Sequence, residues 1–133
     1  TGTLQGTELD LNATPDALPM LATLACFAEG ETRLVNVPQA RLKETDRISV
    51  MREELEKLGA KITELEDGMI IEGRPLHGGD VEGHGDHRVI MALAIAGTAI
   101  NEEVRIHGAE AVDVTYPGFA EDLRQLGGKI VVK

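Results

Sequence analysis

The sequence contains almost no aromatic residues: among 133 residues there is no tryptophan, one tyrosine and two phenylalanines. The hydrophobic core must therefore be aliphatic, and the aromatic platforms on which nucleic-acid bases stack are missing. Basic residues are also few, 13 against 23 acidic ones, which gives a net charge of −10. Because phosphate backbones are bound through clustered lysine and arginine, this balance argues against a nucleic-acid partner.

Long hydrophobic runs are absent as well. The longest, around residues 89–96, is far shorter than the roughly 20 residues that span a bilayer, so no membrane partner is expected. The N-terminus has no basic segment followed by a hydrophobic one, which argues against a signal peptide. The single Cys26 cannot form an internal disulfide, and its neighbours Ala25 and Phe27 do not activate its thiol. These features favour a cytoplasmic protein.

Two segments of the sequence align with two later segments in the same order. PDALPMLATLACFAEGETRLVNV (15–37) matches GDHRVIMALAIAGTAINEEVRIHG (85–108), and MREELEKLGAKI (51–62) matches FAEDLRQLGGKI (119–130). In this alignment, Asp16 is equivalent to Asp86. Two matches in the same order predict a duplicated unit, with internal repeats at about residues 1–73 and 74–133.

Hydrophobic periodicity predicts that each unit runs strand, helix, strand, helix, strand. In the first unit, TELDLNA and TRLVNV alternate polar and apolar residues as strands do. Helices are predicted over residues 16–29 and 44–58, each followed by a glycine. The second helix has one apolar side, formed by Ile48, Met51, Leu55 and Leu58. KITELED and GMIIEG then predict a hairpin whose turn contains residues 67–68.

The first helix of each unit is apolar on nearly every side. LPMLATLACFA and VIMALAIAGTAI lack the polar stripe of a surface helix, so both helices are predicted to be buried. The strands alternate, which indicates sheets with one exposed face. The sequence therefore predicts an α/β (α+β) fold with helices inside and sheets outside, the reverse of a doubly wound fold.

The stretch RLKETDRI, residues 41–48, holds five charges in eight residues. If a helix begins near Glu44, Lys43 and Arg47 share one side of its first turn. Unpaired backbone N–H groups and the helix dipole favour an anion there, and Glu44 is placed to donate or accept a proton. The alternative is a solvated helix start whose acids suit the dipole and whose bases pair on the surface. Spacing alone leaves both interpretations open.

GDHRV, residues 85–89, begins the second apolar helix. Asp86 is placed to cap that helix, and His87 and Arg88 fall in its first turn. A cation is unfavourable at a helix start unless an anion binds there, so Arg88 is a candidate anion ligand. Asp16 holds the matching position in the first unit, where it is either a simple cap or part of a site shared by two helix starts.

The loop HGGDVEGHGDH, residues 77–87, contains three histidines and two aspartates, a composition that suggests a metal site. Its glycines and irregular ligand spacing favour a flexible loop instead, so no metal is predicted. The segment TYPGF, residues 115–119, is interpreted as a turn that leads into a last helix.

Taken together, these segments resemble the 5-enolpyruvylshikimate-3-phosphate synthase family. The resemblance rests on PDALPMLATLACFAEGETRLVNV, RLKETDRI, GDHRVIMALAIAG and TYPGFAEDL, which follow in this order over nearly the entire chain. KETDR combined with GDHR is specific to that family. The resemblance implies an inside-out α/β arrangement of repeated βαβαββ units, about two of them present. It also implies that residues 1–133 are the C-terminal part of one enolpyruvyl transferase domain.

The family reaction transfers the enolpyruvyl group of phosphoenolpyruvate to the 5-hydroxyl of shikimate 3-phosphate and releases phosphate, without a metal or organic cofactor. By resemblance, Asp16 would serve in proton transfer at the 5-hydroxyl, and Glu44 would exchange a proton at the methylene carbon of phosphoenolpyruvate. Arg47 and Arg88 would bind phosphoenolpyruvate with His87 beside them. Lys43 and Gln39 would contact the shikimate substrate.

Two positions depart from the family pattern. Many relatives carry lysine where this chain has Val114, and some carry asparagine in place of Gln39. The serines and the lysine that the N-terminal domain contributes have no counterpart here, so the segment is expected to be inactive alone. Buried repeat helices cut from a six-repeat domain would leave apolar surface uncovered, which favours self-association. The alternatives are an enolpyruvyl transferase with another acceptor, such as UDP-N-acetylglucosamine, and a non-catalytic module that binds anions or a partner chain.

Overall fold

The computed structural model describes residues 7–43, 45–100 and 102–108, and the backbone of residues 130–132. The strands in these residues are β1 Glu8–Asp10, β2 Glu31–Val35, β3 Lys61–Leu65, β4 Gly68–Glu72, β5 Gly79–Glu82, β6 Val104–His107 and β7 Ile130–Val132. The α-helices are α1 Leu18–Cys26, α2 Arg47–Lys57 and α3 His87–Ala99, and short 3₁₀ helices lie at Pro15–Ala17 and Pro38–Leu42. None of the helices described is long and apolar enough to cross a membrane.

The strands form two sheets. The first has the order β1-β2-β4-β3, with β1 parallel to β2 and the β3–β4 hairpin antiparallel to it. The second has the order β5-β6-β7, with all neighbours parallel. In both sheets a parallel pair is connected through one helix, as β1-α1-β2 and β5-α3-β6. The mixed α/β class predicted from the sequence is confirmed, and the described strands form open sheets, not a closed barrel.

The hydrophobic core lies where the three helices meet. The helices contact one another, α1 packs on the first sheet, α3 on the second, and α2 on both. The strands bury one face only: Leu34 of β2 and Ile106 of β6 are inaccessible, whereas their neighbours Arg33 and Arg105 are exposed. Most residues of α1 and α3 are buried, as predicted, although Leu24 of α1 remains 42% exposed.

The predicted start of the second helix is wrong by three residues. Helix α2 begins at Arg47, because the side chain of Asp46 accepts a hydrogen bond from Ser49 N–H at 3.2 Å and caps the helix there. Lys43 therefore precedes the helix, on extended backbone, and does not share its first turn. The predicted apolar side is confirmed, since Ile48, Met51, Leu55 and Leu58 are all fully buried.

Two other boundaries also differ from the prediction. The helix predicted over residues 16–29 is a 3₁₀ helix at Pro15–Ala17 followed by the shorter α1. The predicted hairpin is present, but Leu65 pairs with Gly68, so its turn consists of residues 66–67. This position of β4 requires glycine, because a Cβ there would lie 1.9 Å from the carbonyl oxygen of Leu34. The predicted last helix, after TYPGF, lies outside the described residues.

Candidate active site

The starts of all three helices meet at one place. Asp16 lies in the 3₁₀ helix before α1, Arg47 is the first residue of α2, and Asp86 is the N-cap of α3. Backbone N–H groups at a helix start have no partner within the helix, and the helix dipole is positive there, so this place favours negative charge.

Asp86 occupies the centre of the arrangement and is completely buried. Its Oδ1 accepts hydrogen bonds from the N–H groups of Arg88 at 3.0 Å and Val89 at 3.4 Å, which confirms the predicted cap. Its Oδ2 accepts a hydrogen bond from the hydroxyl of Thr45 at 2.9 Å. One carboxylate thus connects the start of α3 to the segment before α2.

The guanidinium of Arg47 bridges two of the helix starts. Its side chain is only 1% exposed, and it binds Asp86 at two points, Nε to Oδ2 at 2.8 Å and Nη2 to Oδ1 at 3.1 Å. Its Nη1 donates to Asp16 Oδ1 at 3.0 Å. A bidentate pair of this kind is strong and directional, so it fixes the three helices relative to one another.

Two further cations reach Asp16 from the solvent side. Lys43 Nζ lies 3.5 Å from Asp16 Oδ1, and Arg88 Nη2 lies 3.9 Å from Asp16 Oδ2. Their side chains are 29% and 48% exposed, so both are partly accessible to solvent. Among the described residues the cluster has three cations and two carboxylates, a local positive excess in a strongly acidic chain.

An open cavity of about 200 Å³ lies beside this cluster, lined by Asp16, Pro19, Met20, His87, Arg88 and Met91. Its lining combines charged and polar side chains with the apolar side chains of proline and methionine. Ligand pockets usually have volumes of about 300–1,000 Å³. At about 200 Å³ this cavity is smaller than that range. It can hold a small anionic group or one part of a larger substrate.

Both carboxylates of the cluster are ionised at neutral pH. Burial raises the pKa of Asp16, but the nearby charges of Lys43, Arg88 and Arg47 outweigh it and hold the pKa below its ordinary value. Burial likewise raises the pKa of Asp86, and the hydrogen bonds from Arg47 and Thr45 more than reverse the shift. Asp16 is thus a half-exposed carboxylate beside a cavity, able to accept a proton, with cations nearby to stabilise developing negative charge.

Several of the residues singled out in the sequence meet here, namely Asp16, Lys43, Arg47, His87 and Arg88. The contacts of Asp16 within the described part of the chain are with side-chain cations, which favours the shared-site interpretation over a simple cap. Gln39 donates from Nε2 to the carbonyl oxygen of Asn12 at 3.0 Å, and its Oε1 is buried without a partner among the described residues. Glu44 and Val114 lie outside the described residues.

The interpretation of RLKETDRI as an anion site is wrong for Arg41, the first cation of the stretch. Arg41 does not join the cluster: it binds Asp46 at 2.8 Å and Glu64 at 2.9 Å, so for Arg41 the surface-pairing alternative is correct. Sequence reasoning also missed that Asp86 anchors Arg47 and Thr45. The aspartate before an apolar helix was a signal for a cap only, because its other partners lie about 40 residues away in the chain.

The histidines of the loop at residues 77–87 do not converge. His77 Nδ1 lies 2.8 Å from the carbonyl oxygen of Gly78, whereas His84 contacts Glu54. In the described residues no group of three His, Cys, Asp or Glu side chains is placed to hold a metal ion.

Comparison with known proteins gives consistent matches. A sequence profile described as EPSP synthase (3-phosphoshikimate 1-carboxyvinyltransferase) matches residues 1–123. A curated 3-phosphoshikimate 1-carboxyvinyltransferase from Ruminiclostridium cellulolyticum is 61% identical over 127 residues, which cover 96% of this chain and 30% of that relative. The chain therefore spans about 30% of the length of this relative.

Two solved structures are similar in fold. An EPSP synthase from Acinetobacter baumannii superposes with a TM-score of 0.83 at 36% identity, covering 96% of this chain and 31% of that one. The enolpyruvyl transferase NikO from Streptomyces tendae superposes with a TM-score of 0.72 at 24% identity, covering 96% and 29%. At that identity the second likeness concerns the fold alone.

Proposed function

Because this chain belongs to the EPSP synthase family, we propose that it is part of a longer enzyme that transfers the enolpyruvyl group of phosphoenolpyruvate to the 5-hydroxyl of shikimate 3-phosphate. The observation that carries the proposal is the convergence of Lys43, Arg47 and Arg88 on Asp16 beside an open cavity. Both substrates are anions, and two of these cations are accessible to solvent. The surface around this small cavity forms one wall of a larger active-site cleft. The N-terminal domain of the longer chain forms the opposite wall.

We propose that the two sheets are two repeats of a larger domain. Residues 1–133 form the C-terminal part of one enolpyruvyl transferase domain, with repeats at about 1–73 and 74–133. The common order β1-α1-β2 and β5-α3-β6, each with a parallel strand pair, supports this division. Further βαβαββ units of the same kind would complete an inside-out domain with helices within and sheets outside.

The substrate-binding roles are those that the family resemblance implies, and the exposure of the cations is compatible with them. Arg88 is half exposed at the cavity and binds phosphoenolpyruvate, with His87 beside it. Arg47 contributes through Nη1, which reaches Asp16 at the cavity, while its Nε and Nη2 stay on Asp86. Lys43 and Gln39 contact the shikimate substrate. Val114, where many relatives have lysine, removes one cation from this scheme.

The chemistry needs a base and stabilised negative charge. A bond forms between the acceptor oxygen and C2 of phosphoenolpyruvate, and the bond from C2 to the phosphate oxygen breaks. Asp16, kept ionised by its cations, accepts the hydroxyl proton, and Glu44 exchanges a proton at the methylene carbon. The cations stabilise the departing phosphate. This scheme requires no metal or organic cofactor.

Phosphate release from phosphoenolpyruvate by the full-length protein tests the proposal. It is measured with shikimate 3-phosphate, with UDP-N-acetylglucosamine and without acceptor, for the wild type, Glu44→Gln and the exposed control Glu66→Gln. We expect release with shikimate 3-phosphate only, reduced about 10²–10⁴-fold in Glu44→Gln and unchanged in the control. Release with the other acceptor would reassign the substrate, and no release with either would favour the non-catalytic binding module.

A further inference from the structure

The turn that leads into α3 has an unusual backbone. Residues 83–86 are closed by a hydrogen bond from Asp86 N–H to the carbonyl oxygen of Gly83 at 3.1 Å. Both central residues are left-handed, His84 with φ 57° and Gly85 with φ 69°, as in a type I′ turn. Glycine adopts this conformation freely, whereas histidine does so at an energetic cost. Contacts from elsewhere must therefore hold His84 in place.

Glu54 of α2 supplies such a contact from inside the fold. Its side chain is 1% exposed, and its Oε2 lies 2.9 Å from His84 Nε2. Its Oε1 accepts hydrogen bonds from Lys57 Nζ at 2.7 Å and from Glu82 N–H at 2.8 Å. Burial raises the pKa of Glu54, but these hydrogen bonds bring it below its ordinary value. The buried group is thus an ionised carboxylate with both oxygens engaged.

The turn is also fixed from its other sides. Gly83 N–H donates to the carbonyl oxygen of His107 at 2.8 Å, and a Cβ at Gly83 would lie 2.5 Å from the side chain of Ile90. Glu82 Oε2 accepts a hydrogen bond from His84 N–H at 3.2 Å. Because the turn is closely packed on these sides, we expect a change in the conformation of His84 to displace the residues that follow it at the start of α3.

Helix α2 holds this segment at two points. Arg47 binds Asp86, and Glu54, seven residues later, binds His84 and Glu82. Seven residues make about two helical turns, so both side chains lie on the same side of the helix about 10 Å apart. One rigid element therefore fixes both the turn and the helix start that carries Arg88.

We propose that Glu54 is a positioning residue for His87 and Arg88: by holding His84 in its left-handed conformation, it sets the direction in which α3 begins and hence where these two side chains meet an anionic substrate. The inference rests on the proposed function for the identity of that substrate. Glu54 is not among the residues that line the cavity, so it acts through the turn and not by contact.

Steady-state kinetics of the full-length protein test the inference. In Glu54→Gln we expect kcat/KM for phosphoenolpyruvate to fall about 10–100-fold, because a displacement of about 1 Å at a binding group costs that much. Glu53→Gln, at the exposed neighbouring position on α2, is the matched control and should stay within about twofold. Wild-type kinetics in Glu54→Gln, with only a lowered Tm, would reduce Glu54 to a structural role and overturn the inference.

A rescue variant separates positioning from stability. Asn-Gly is the preferred sequence of a type I′ turn, so His84→Asn should hold the turn without help from α2. The double variant Glu54→Gln/His84→Asn is therefore expected to recover most of the kcat/KM lost in Glu54→Gln. A double variant as impaired as the single one contradicts the inference. If Glu54→Gln does not fold, His84→Ala removes the same contact from a side chain that is 30% exposed, and the same loss is expected.

Hydrogen exchange provides a readout that does not depend on the reaction. Peptides covering residues 83–88 should exchange faster in Glu54→Gln than in the wild type, while peptides of α1 should be unchanged. If the wild type releases no phosphate with any acceptor, the proposed function fails, and the exchange result still decides the role of Glu54. Unchanged exchange at residues 83–88 would overturn the inference in either case.

Discussion

At the scale of single residues, the geometry of the site depends on Asp86, a buried carboxylate that holds other residues in place. Asp86 receives hydrogen bonds from Thr45, from Arg47 and from the backbone of α3, so it connects the segment before α2 to the start of α3. Removing one partner of a buried ion pair leaves the other charge uncompensated, which is far more costly than losing a surface pair.

Replacing Asp86 by alanine should therefore destabilise the protein by about 3–5 kcal/mol. Urea unfolding of the full-length protein, followed by circular dichroism, measures the change. Asp80→Ala is the matched control: it removes an exposed partner of His107 and should cost about 1 kcal/mol or less. Equal effects of the two substitutions would show that the Arg47–Asp86 pair does not hold the helix starts together.

The sequence allowed the site to be predicted where a residue's role depends on its neighbours in the chain. Asp86 was recognisable as a cap, and Arg88 as a cation at an unfavourable helix start. Burial was not predictable: Glu54 lies in the charged stretch EELEK and has the pattern of a surface residue, yet its partners His84 and Glu82 come from another element. Only the packing of β5 on α2 places them together.

At the scale of elements, an ion-pair network joins the 3₁₀ helix at Pro38–Leu42, α2 and the β3–β4 hairpin. Its centre is Glu64, which binds Arg41 at 2.9 Å and Arg52 at 2.7 Å and accepts a hydrogen bond from Ser49 at 2.9 Å. This network holds the segment that leads to Lys43 against the first sheet.

The network makes stability depend on pH. The hydrogen bond from Arg52, together with those from Arg41 and Ser49, lowers the pKa of Glu64 from 4.5 to about 2. Because the folded-state pKa lies below the unfolded one, the stabilisation is complete above about pH 4.5 and is lost as the pH falls towards 2. It amounts to at most on the order of 3 kcal/mol, less where solvent screens the pairs.

Glu64→Gln should accordingly be less stable than the wild type at pH 7, and the difference should shrink between pH 4.5 and 2. Urea unfolding at several pH values measures it, with Glu72→Gln, which loses only an exposed pair with Lys61, as the control. A constant difference between Glu64→Gln and the wild type across this range would contradict the assigned pKa.

One end of helix α2 was predictable from the sequence, and the other was not. The end of α2 was predictable to within one residue, because glycine is favoured just past a helix end and Gly59 adopts the left-handed φ, 99°, that such an end requires. The start was not, because KETDR has the composition of a helix and the competing cap, Asp46, is held in place by Arg41 and Ser49. Tertiary contacts thus overrode local preference at the point where the site begins.

At the scale of the whole molecule, the described residues expose large hydrophobic side chains at two places. The exposed large hydrophobic side chains among them are Leu24 of α1, at 42%, and Leu42, at 85%. Leu42 lies beside Lys43 of the cluster, and Leu24 lines an apolar depression with Leu9 and Leu21.

We propose that residues 1–133 expressed alone self-associate, because the exposed side chains of Leu24 and Leu42 are available for contact between copies. Sedimentation velocity over a range of concentrations measures the effect, and Leu24→Lys should weaken it more than Leu21→Met, a volume-conserving change at a less exposed position. A strictly monomeric profile at high concentration would contradict the expectation.

The mixed α/β class and the buried helices were predictable from periodicity, because an apolar helix surface must be covered by something. The position of β4 between β2 and β3 was not, since strand order depends on long-range pairing that local pattern does not encode.

The central claim is that Asp16, at the meeting point of three helix starts, performs proton transfer in an enolpyruvyl transfer. The most direct test is the kcat for phosphate release from phosphoenolpyruvate and shikimate 3-phosphate by the full-length protein carrying Asp16→Asn, with the exposed Asp10→Asn as control. We predict a fall of about 10²–10⁴-fold for Asp16→Asn, with KM changed far less, and a near wild-type rate for Asp10→Asn. A wild-type kcat in Asp16→Asn would contradict the account, because the carboxylate would then only balance the charges of the three cations around it.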